Sequence, residues 1–292
     1  MLVIIRKAVF ACSLIFFSGA GLATSPHYQY EIAGTYLDTE YGQKSQSKNF
    51  SFSFERYFKP IEFKTYPYAE AAFFERTGSV KFSFGRAIDN TPEIDHKNIL
   101  IGLSVSYMAK ESPVKITGRL ETLDGEYKQD YKSLDYATDN FGVSVGAYVT
   151  KELLAEFSFD KSNTRVSRFL VSLDQQEVLQ LGLEVKWVKK ITNNQAVGLR
   201  VNFYNQNYAH SEVDVSSSSI AGDFYVTLRN NVGAEMTTVD DSEYGTTTIY
   251  TYYLRSFITR NFSIDAAYTT VSEEDPAFEN GTGYSIRVQK RF

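Results

Sequence analysis

Cysteine is all but missing from this chain: Cys12 stands alone among 292 residues. With no second thiol there is no intrachain disulfide and no thiolate zinc site. Histidine is nearly as scarce, and His27, His96 and His210 lie too far apart to give metal-ligand spacing. After Ala23 no apolar run approaches the roughly 20 residues that a membrane-spanning helix needs, so a helical membrane protein is excluded. Positive charge is also short. Lys and Arg total 30 against 35 Asp and Glu, a formal balance of −5 that argues against nucleic acid as a partner.

The first residues explain the lone cysteine. Arg6 and Lys7 precede an apolar stretch over residues 8–17, followed by the small residues Ser18, Gly19, Ala20 and Gly21. Gly21 and Ala23 suit the minus-three and minus-one positions of a signal peptidase site, so residues 1–23 read as a cleaved signal peptide and 24–292 as a single domain. The stretch is too short for a retained anchor. Losing Arg6 and Lys7 leaves the exported chain more acidic by two charges, and losing Cys12 leaves it without thiols.

What the chain has in abundance is Tyr and Phe, 21 and 22 residues against the single Trp187. That load suits strand propensity and the aromatic girdles of membrane barrels. The dominant period is two. Phe50, Phe52 and Phe54 alternate with Ser51, Ser53 and Glu55; Ile99, Ile101, Leu103, Val105 and Tyr107 alternate with Gly102, Ser104 and Ser106. Val114, Ile116, Gly118 and Leu120 oppose Lys115, Thr117, Arg119 and Glu121, charges that must face water. The rhythm continues through Phe141 to Val149, Leu153 to Phe159, Leu179 to Trp187 and Val197 to Phe203 to the end of the chain. Asn193-Asn194 and Asn230-Asn231 are hairpin turn signals, because Asn tolerates positive φ.

Counting from Tyr28 gives about fourteen strands. The expected fold is therefore all-β: a transmembrane antiparallel up-and-down barrel with short periplasmic turns and longer extracellular loops. The long polar links are residues 89–97, 124–139, 162–178, 205–219, 239–246 and 271–282. Residues 69–76 are ambiguous between a third strand and a short helical excursion. A secreted sandwich would show the same alternation. Against it stands the last strand, where Tyr284, Ile286, Val288 and Phe292 share one parity, interrupted only by Lys290. This ending resembles the assembly signal of outer-membrane barrels, which implies the barrel assembly machinery as a partner; Lys290 departs from the apolar pattern.

A second resemblance covers about a tenth of the chain. The run YFKPIEFKTYPYAEAAFFERTGSVKFSF, residues 57–84, is similar to a segment of the general bacterial porins of Gram-negative bacteria. The match is carried by Pro67, Ala69, Glu70, Ala71, Ala72 and Phe73. The resemblance implies a porin-like barrel and carries over no catalytic residue.

A barrel of fourteen strands encloses a bore too wide for side chains to fill. Its water-facing row would comprise Glu31, Lys115, Arg119, Glu121, Glu156, Glu184, Lys186, Arg200, Asp223, Arg229, Glu235, Asp265 and Arg287. Such a set would screen small hydrophilic solutes by charge and size, and the acidic balance predicts a mild cation preference. A water-filled passive channel, monomeric, needing no cofactor and sitting among outer-membrane lipid and lipopolysaccharide, is the expected function. Residues 124–139 and 162–178 are expected to supply any inward-folded gate, being the longest links. A non-conducting adhesion or structural barrel is the alternative. A rim hydrolase using His210, Ser211, Glu212 and Asp214 is weaker, since adjacent residues on a strand point to opposite sides.

Overall fold

Side chains that alternate between hydrocarbon and water favour an extended backbone, and an extended backbone far from water must close its own hydrogen-bond ladder. The computed structural model describes residues 27–41, 45–63, 66–91, 94–108, 112–129, 132–168, 171–209, 214–242, 245–273 and 280–292. The proposed signal peptide and the His210, Ser211 and Glu212 group lie outside these residues. Within them the chain forms fourteen strands. The first seven are β1 His27–Tyr41, β2 Ser45–Glu62, β3 Ser79–Asn90, β4 Ile94–Met108, β5 Val114–Gln129, β6 Lys132–Tyr148 and β7 Leu153–Arg168. The second seven are β8 Val171–Lys190, β9 Ala196–Tyr208, β10 Asp214–Tyr225, β11 Asn230–Asp241, β12 Gly245–Thr259, β13 Phe262–Glu273 and β14 Gly281–Arg291. Each pairs antiparallel with its sequence neighbours, and β1 pairs with β14, so the sheet is a closed barrel with no free edge.

The apolar parity faces outward around the whole circumference. Leu103, Leu120, Phe141, Phe157, Phe203, Tyr252 and Tyr284 are all among the exposed large side chains. An exposed apolar belt of this extent needs a hydrocarbon cover. One end of the barrel carries His27 of β1 and Phe292, whose carbonyl accepts hydrogen bonds from the Gln29 and Tyr30 amides. This terminus end also has the tight turns, including residues 149–152, 191–195 and 226–229.

Two expectations about connections are corrected. The polar links at the opposite end are largely drawn into strands: residues 124–129 and 132–139 pair with each other as β5 and β6, and residues 162–166 of β7 pair with 174–178 of β8. Beyond the apolar belt both faces of a strand meet water, so alternation fades from the sequence while the ladder continues at no cost in burial. The wall is uneven as a result. From Leu120, Phe141, Phe159 and Leu181 the strands β5 to β8 run on to Gln129, Lys132, Arg168 and Val171, well past the height reached by β12 above Tyr250.

The second correction concerns the inward-folded segment. The described residues of 124–139 and 162–178 are strand and form no constriction in the bore; the segment that crosses it is the link between β2 and β3, at the terminus end. It contains a 3-10 turn, Tyr68–Glu70, and a short helix α1, Ala71–Glu75. Of the two readings of 69–76, the helical one is what the chain adopts. Ala71 and Ala72 favour helix over strand, and Pro67 fixes an N-terminal φ of −54° ahead of the turn.

Candidate functional site: the charged bore and the segment that crosses it

The inner wall is laced by ion pairs that skip a strand. Lys115 Nζ lies 2.9 Å from Glu156 Oε2, and Arg119 Nη2 donates at 2.8 Å to both carboxylate oxygens of Asp160. In each case β6 lies between the partners. The residue in register is Gly146 between Lys115 and Glu156, and Gly142 between Arg119 and Asp160. Arg200 and Glu235 meet in the same way at 3.0 Å across Ala221. Where the intervening residue has little or no side chain, partners two strands apart can touch. Adjacent-strand pairs also occur on this wall: Arg255 with Asp265 at 2.9 Å, and Glu31 of β1 with Arg291 of β14 at 3.0 Å. Half-open pairs of this kind contribute about 0 to 1 kcal/mol each, so they shape the field of the bore more than they hold the fold.

At the terminus end the bore is crossed. Tyr68 donates its amide to the Leu228 carbonyl at 2.8 Å, and Arg291 Nη1 donates to the Tyr68 carbonyl at 2.7 Å. Glu70 takes a hydrogen bond from Tyr225 Oη at 2.7 Å and pairs with Lys186 Nζ at 2.6 Å. Further along, Tyr148 Oη donates to the Phe73 carbonyl at 3.1 Å, and Arg76 Nη2 to the Thr150 carbonyl at 2.9 Å. Phe73 packs with Tyr148, Leu154, Val188, Ala196 and Tyr225, whereas Ala71 packs with Tyr28, Tyr57 and Ile61. The first group lies on β6 to β10 and the second on β1 and β2, on the other side of a fourteen-stranded ring. One short segment is thus anchored to both walls.

Burial by itself would raise the Glu70 carboxyl, but the Lys186 ammonium and the hydrogen bonds from Lys186 and Tyr225 outweigh it and hold the group below the usual carboxylate range. Arg76, at the C-terminal end of α1, has φ +47° and is the single non-glycine residue with positive φ among those described. Its guanidinium stacks 4.4 Å from the Tyr148 ring, which together with the Thr150 bond offsets the backbone strain. Directly above the segment is a cavity of about 410 Å³ bounded by Glu70, Lys186, Arg200, Tyr253, Arg255 and Arg287.

No family model matches the chain, and no curated protein matches it. Solved structures do. The outer membrane protein Omp33 of Acinetobacter baumannii superposes over 91% of this chain and 99% of its own, with a TM-score of 0.60 at 16% identity. The fold is that of an outer-membrane β-barrel. The CymD monoaromatic hydrocarbon channel matches with a TM-score of 0.59 at 7% identity, over 92% of this chain and 90% of that one. A Pseudomonas aeruginosa FadL homologue gives 0.54 at 8%, over 91% and 90%. At such identities the likeness concerns fold alone.

On the wall of this outer-membrane β-barrel, twelve of the thirteen residues expected to face the bore have the inward parity: Glu31, Lys115, Arg119, Glu121, Glu156, Glu184, Lys186, Arg200, Asp223, Glu235, Asp265 and Arg287. The thirteenth, Arg229, is in the exposed turn between β10 and β11, where the chain reverses and strand parity no longer applies. Tyr284, Ile286, Val288 and Phe292 share the outward parity; Val288 is nonetheless buried, its neighbours on β13 and β1 being Ile264 and Gly34. Sequence reasoning missed Asp160, Arg255 and Arg291, each on an inward parity already identified, and Glu70, whose partners are 116 and 155 positions away. Among the described residues no group of three His, Cys, Asp or Glu could hold a metal ion.

Proposed function

We propose that the chain is an outer-membrane channel for passive diffusion of small hydrophilic solutes, shut at its terminus end by the segment between β2 and β3. On this reading residues 1–23 direct export, the terminus end faces the periplasm, and the last strand engages the barrel assembly machinery during insertion. Outer-membrane lipid and lipopolysaccharide then cover the belt.

The observation that supports it best is the two-walled anchoring of the 3-10 turn and α1. A structural barrel has no use for a lumen lined by ionic pairs, and a permanently sealed one would be expected to fill its bore with packed apolar side chains. This one leaves a polar cavity directly above a segment of few turns. The segment holds by separable contacts, chiefly Glu70 with Lys186 and Tyr225, and Arg291 with Tyr68.

Planar-bilayer recordings of the purified mature barrel test the proposal. Wild-type protein is expected to give rare current steps, and a variant with residues 66–76 replaced by a short glycine-rich turn frequent and larger ones. If the shortened variant inserts as a folded barrel and passes no current, the closed structural barrel is the correct account.

A further inference from the structure

The inner face of the tall wall differs from the rest of the bore. Leu100 of β4 pairs in register with Leu123 of β5; Gly125, two residues on, pairs with Tyr136 of β6, and Tyr136 with Val166 of β7. Tyr127 and Leu134 pair one step higher. All six of these apolar side chains are half-buried, and they form one patch at the outer mouth. The Tyr136 ring lies flat across Gly125, where any Cβ would collide with it, and its hydroxyl reaches His96 Nε2 at 2.5 Å. His96 Nδ1 is held in turn by Asp89 at 2.9 Å. The aromatic surface is therefore fixed in place.

Immediately below the patch is a carboxylate without a counter-charge. Glu121 shares the inward face of β5 with Leu123, one step of about 7 Å away at the usual rise per residue. On the adjacent strand β4 it lies against Gly102, whose added Cβ would come within 3.2 Å of Glu121 Cγ. The neighbouring acids Glu156 and Asp160 are matched by Lys115 and Arg119. Among the described residues no cation lies within ion-pair distance of Glu121, nor of Glu184.

We propose that this face binds amphipathic organic cations, compounds that join an aromatic or branched apolar body to a protonated amine. The inference rests on the channel reading and names the solute class that its outer mouth selects. The body seats on Leu100, Leu123 and the Tyr136 ring, and the ammonium reaches Glu121. Neither half suffices alone: an apolar solute leaves the carboxylate unmatched, and a small hydrated cation leaves the apolar patch in water. An anionic solute meets Glu121 and Glu184 as repulsion, so selection by sign is built into the same place.

Calorimetric titration of the mature protein in lipid nanodiscs, with empty discs as blanks, tests this with four probes. Phenethylammonium should bind about tenfold more tightly than phenethyl alcohol or ethylammonium, and 3-phenylpropionate more weakly than all of them. Glu121→Gln should bring phenethylammonium to the level of the alcohol, and Leu123→Ser to the level of ethylammonium. Heat-modifiable gel mobility reports that each variant is folded. If a variant fails to fold, the ranking of the four probes on the wild type decides by itself. Equal binding of the cation and 3-phenylpropionate, or an unchanged affinity in folded Glu121→Gln, overturns the inference. Binding needs no current, so the two readings fail separately: a barrel that conducts but does not discriminate among the probes sinks this one alone, and a barrel that ranks them as expected but never conducts sinks only the channel.

Discussion

Lys115 and Glu156 form a 2.9 Å ion pair although a whole strand separates them, because Gly146 stands between them with no side chain to keep them apart. The same device serves Arg119 and Asp160 across Gly142. Glycine in a strand interior ordinarily weakens it. Here it lets the charged rows of alternate strands neutralise each other.

Gly142→Ala tests that role. The new methyl group would overlap Asp160 Oδ1 and come within 3.0 Å of Arg119 Nε, so the bidentate pair must open. The expected loss is up to about 1 kcal/mol, read as a lower urea midpoint for the folded barrel. Gly118→Ala is the control. It lies on the outward face with nothing within 4 Å of the added atom, and should leave the midpoint unchanged.

Arg76 gives a second prediction. Arg76→Ala removes the Thr150 bond and the Tyr148 stacking but keeps the strained φ of +47°, whereas Arg76→Gly relieves the strain. Both variants should loosen the crossing segment and raise its rate of proteolytic cleavage. The alanine variant should be looser by about 1 kcal/mol, the usual difference between the two residues at positive φ. Equal cleavage of both variants and wild type would mean that Arg76 anchors nothing.

Acid should release the segment. Glu70 is held below its ordinary value of 4.5, chiefly by Lys186 against the opposing effect of burial. A depressed carboxyl contributes anchoring fully above the ordinary value, and that contribution is lost as pH falls through the lowered one. Open probability in bilayers should therefore stay flat from neutrality down to about pH 5 and rise below it. Glu70→Gln should raise the neutral-pH opening and abolish the acid rise. Alkaline pH should produce no corresponding rise through Glu70.

Ion selectivity is the fourth expectation. Among the described residues no cation is bonded to Glu121 or Glu184, which have the inward parity, while Lys115 and Arg119 are committed to Glu156 and Asp160. Reversal potentials across a potassium chloride gradient should favour potassium, and Glu184→Gln should reduce the ratio. A chloride preference in the wild type would contradict it.

Much of the wall is legible in the sequence because hydrocarbon outside and water inside impose opposite demands on neighbouring residues. Once Leu120 faces outward, Arg119 and Glu121 face inward. The legibility stops where that contrast stops. Residues 124–129 read as loop because neither face of the strand meets lipid, although β5 continues through them. Arg229 escapes the parity rule because it lies where the chain turns. Glu70 could be quoted within a recognisable motif, yet its role depends on Lys186 and Tyr225, which only the closed barrel brings to it. No local period encodes that encounter.

The seam between β1 and β14 runs from Glu31 with Arg291 to Tyr41 with Gly281, and the Arg291 side chain that bonds Glu31 at 3.0 Å also grips the Tyr68 carbonyl. One late-emerging arginine thus fastens two things made early in the chain. Until synthesis delivers it, the crossing segment lacks its latch. A molecule shortened by its last two residues would keep the seam from Ile32 with Lys290 to Tyr41 with Gly281, yet lose the clamp that ties the crossing segment to it.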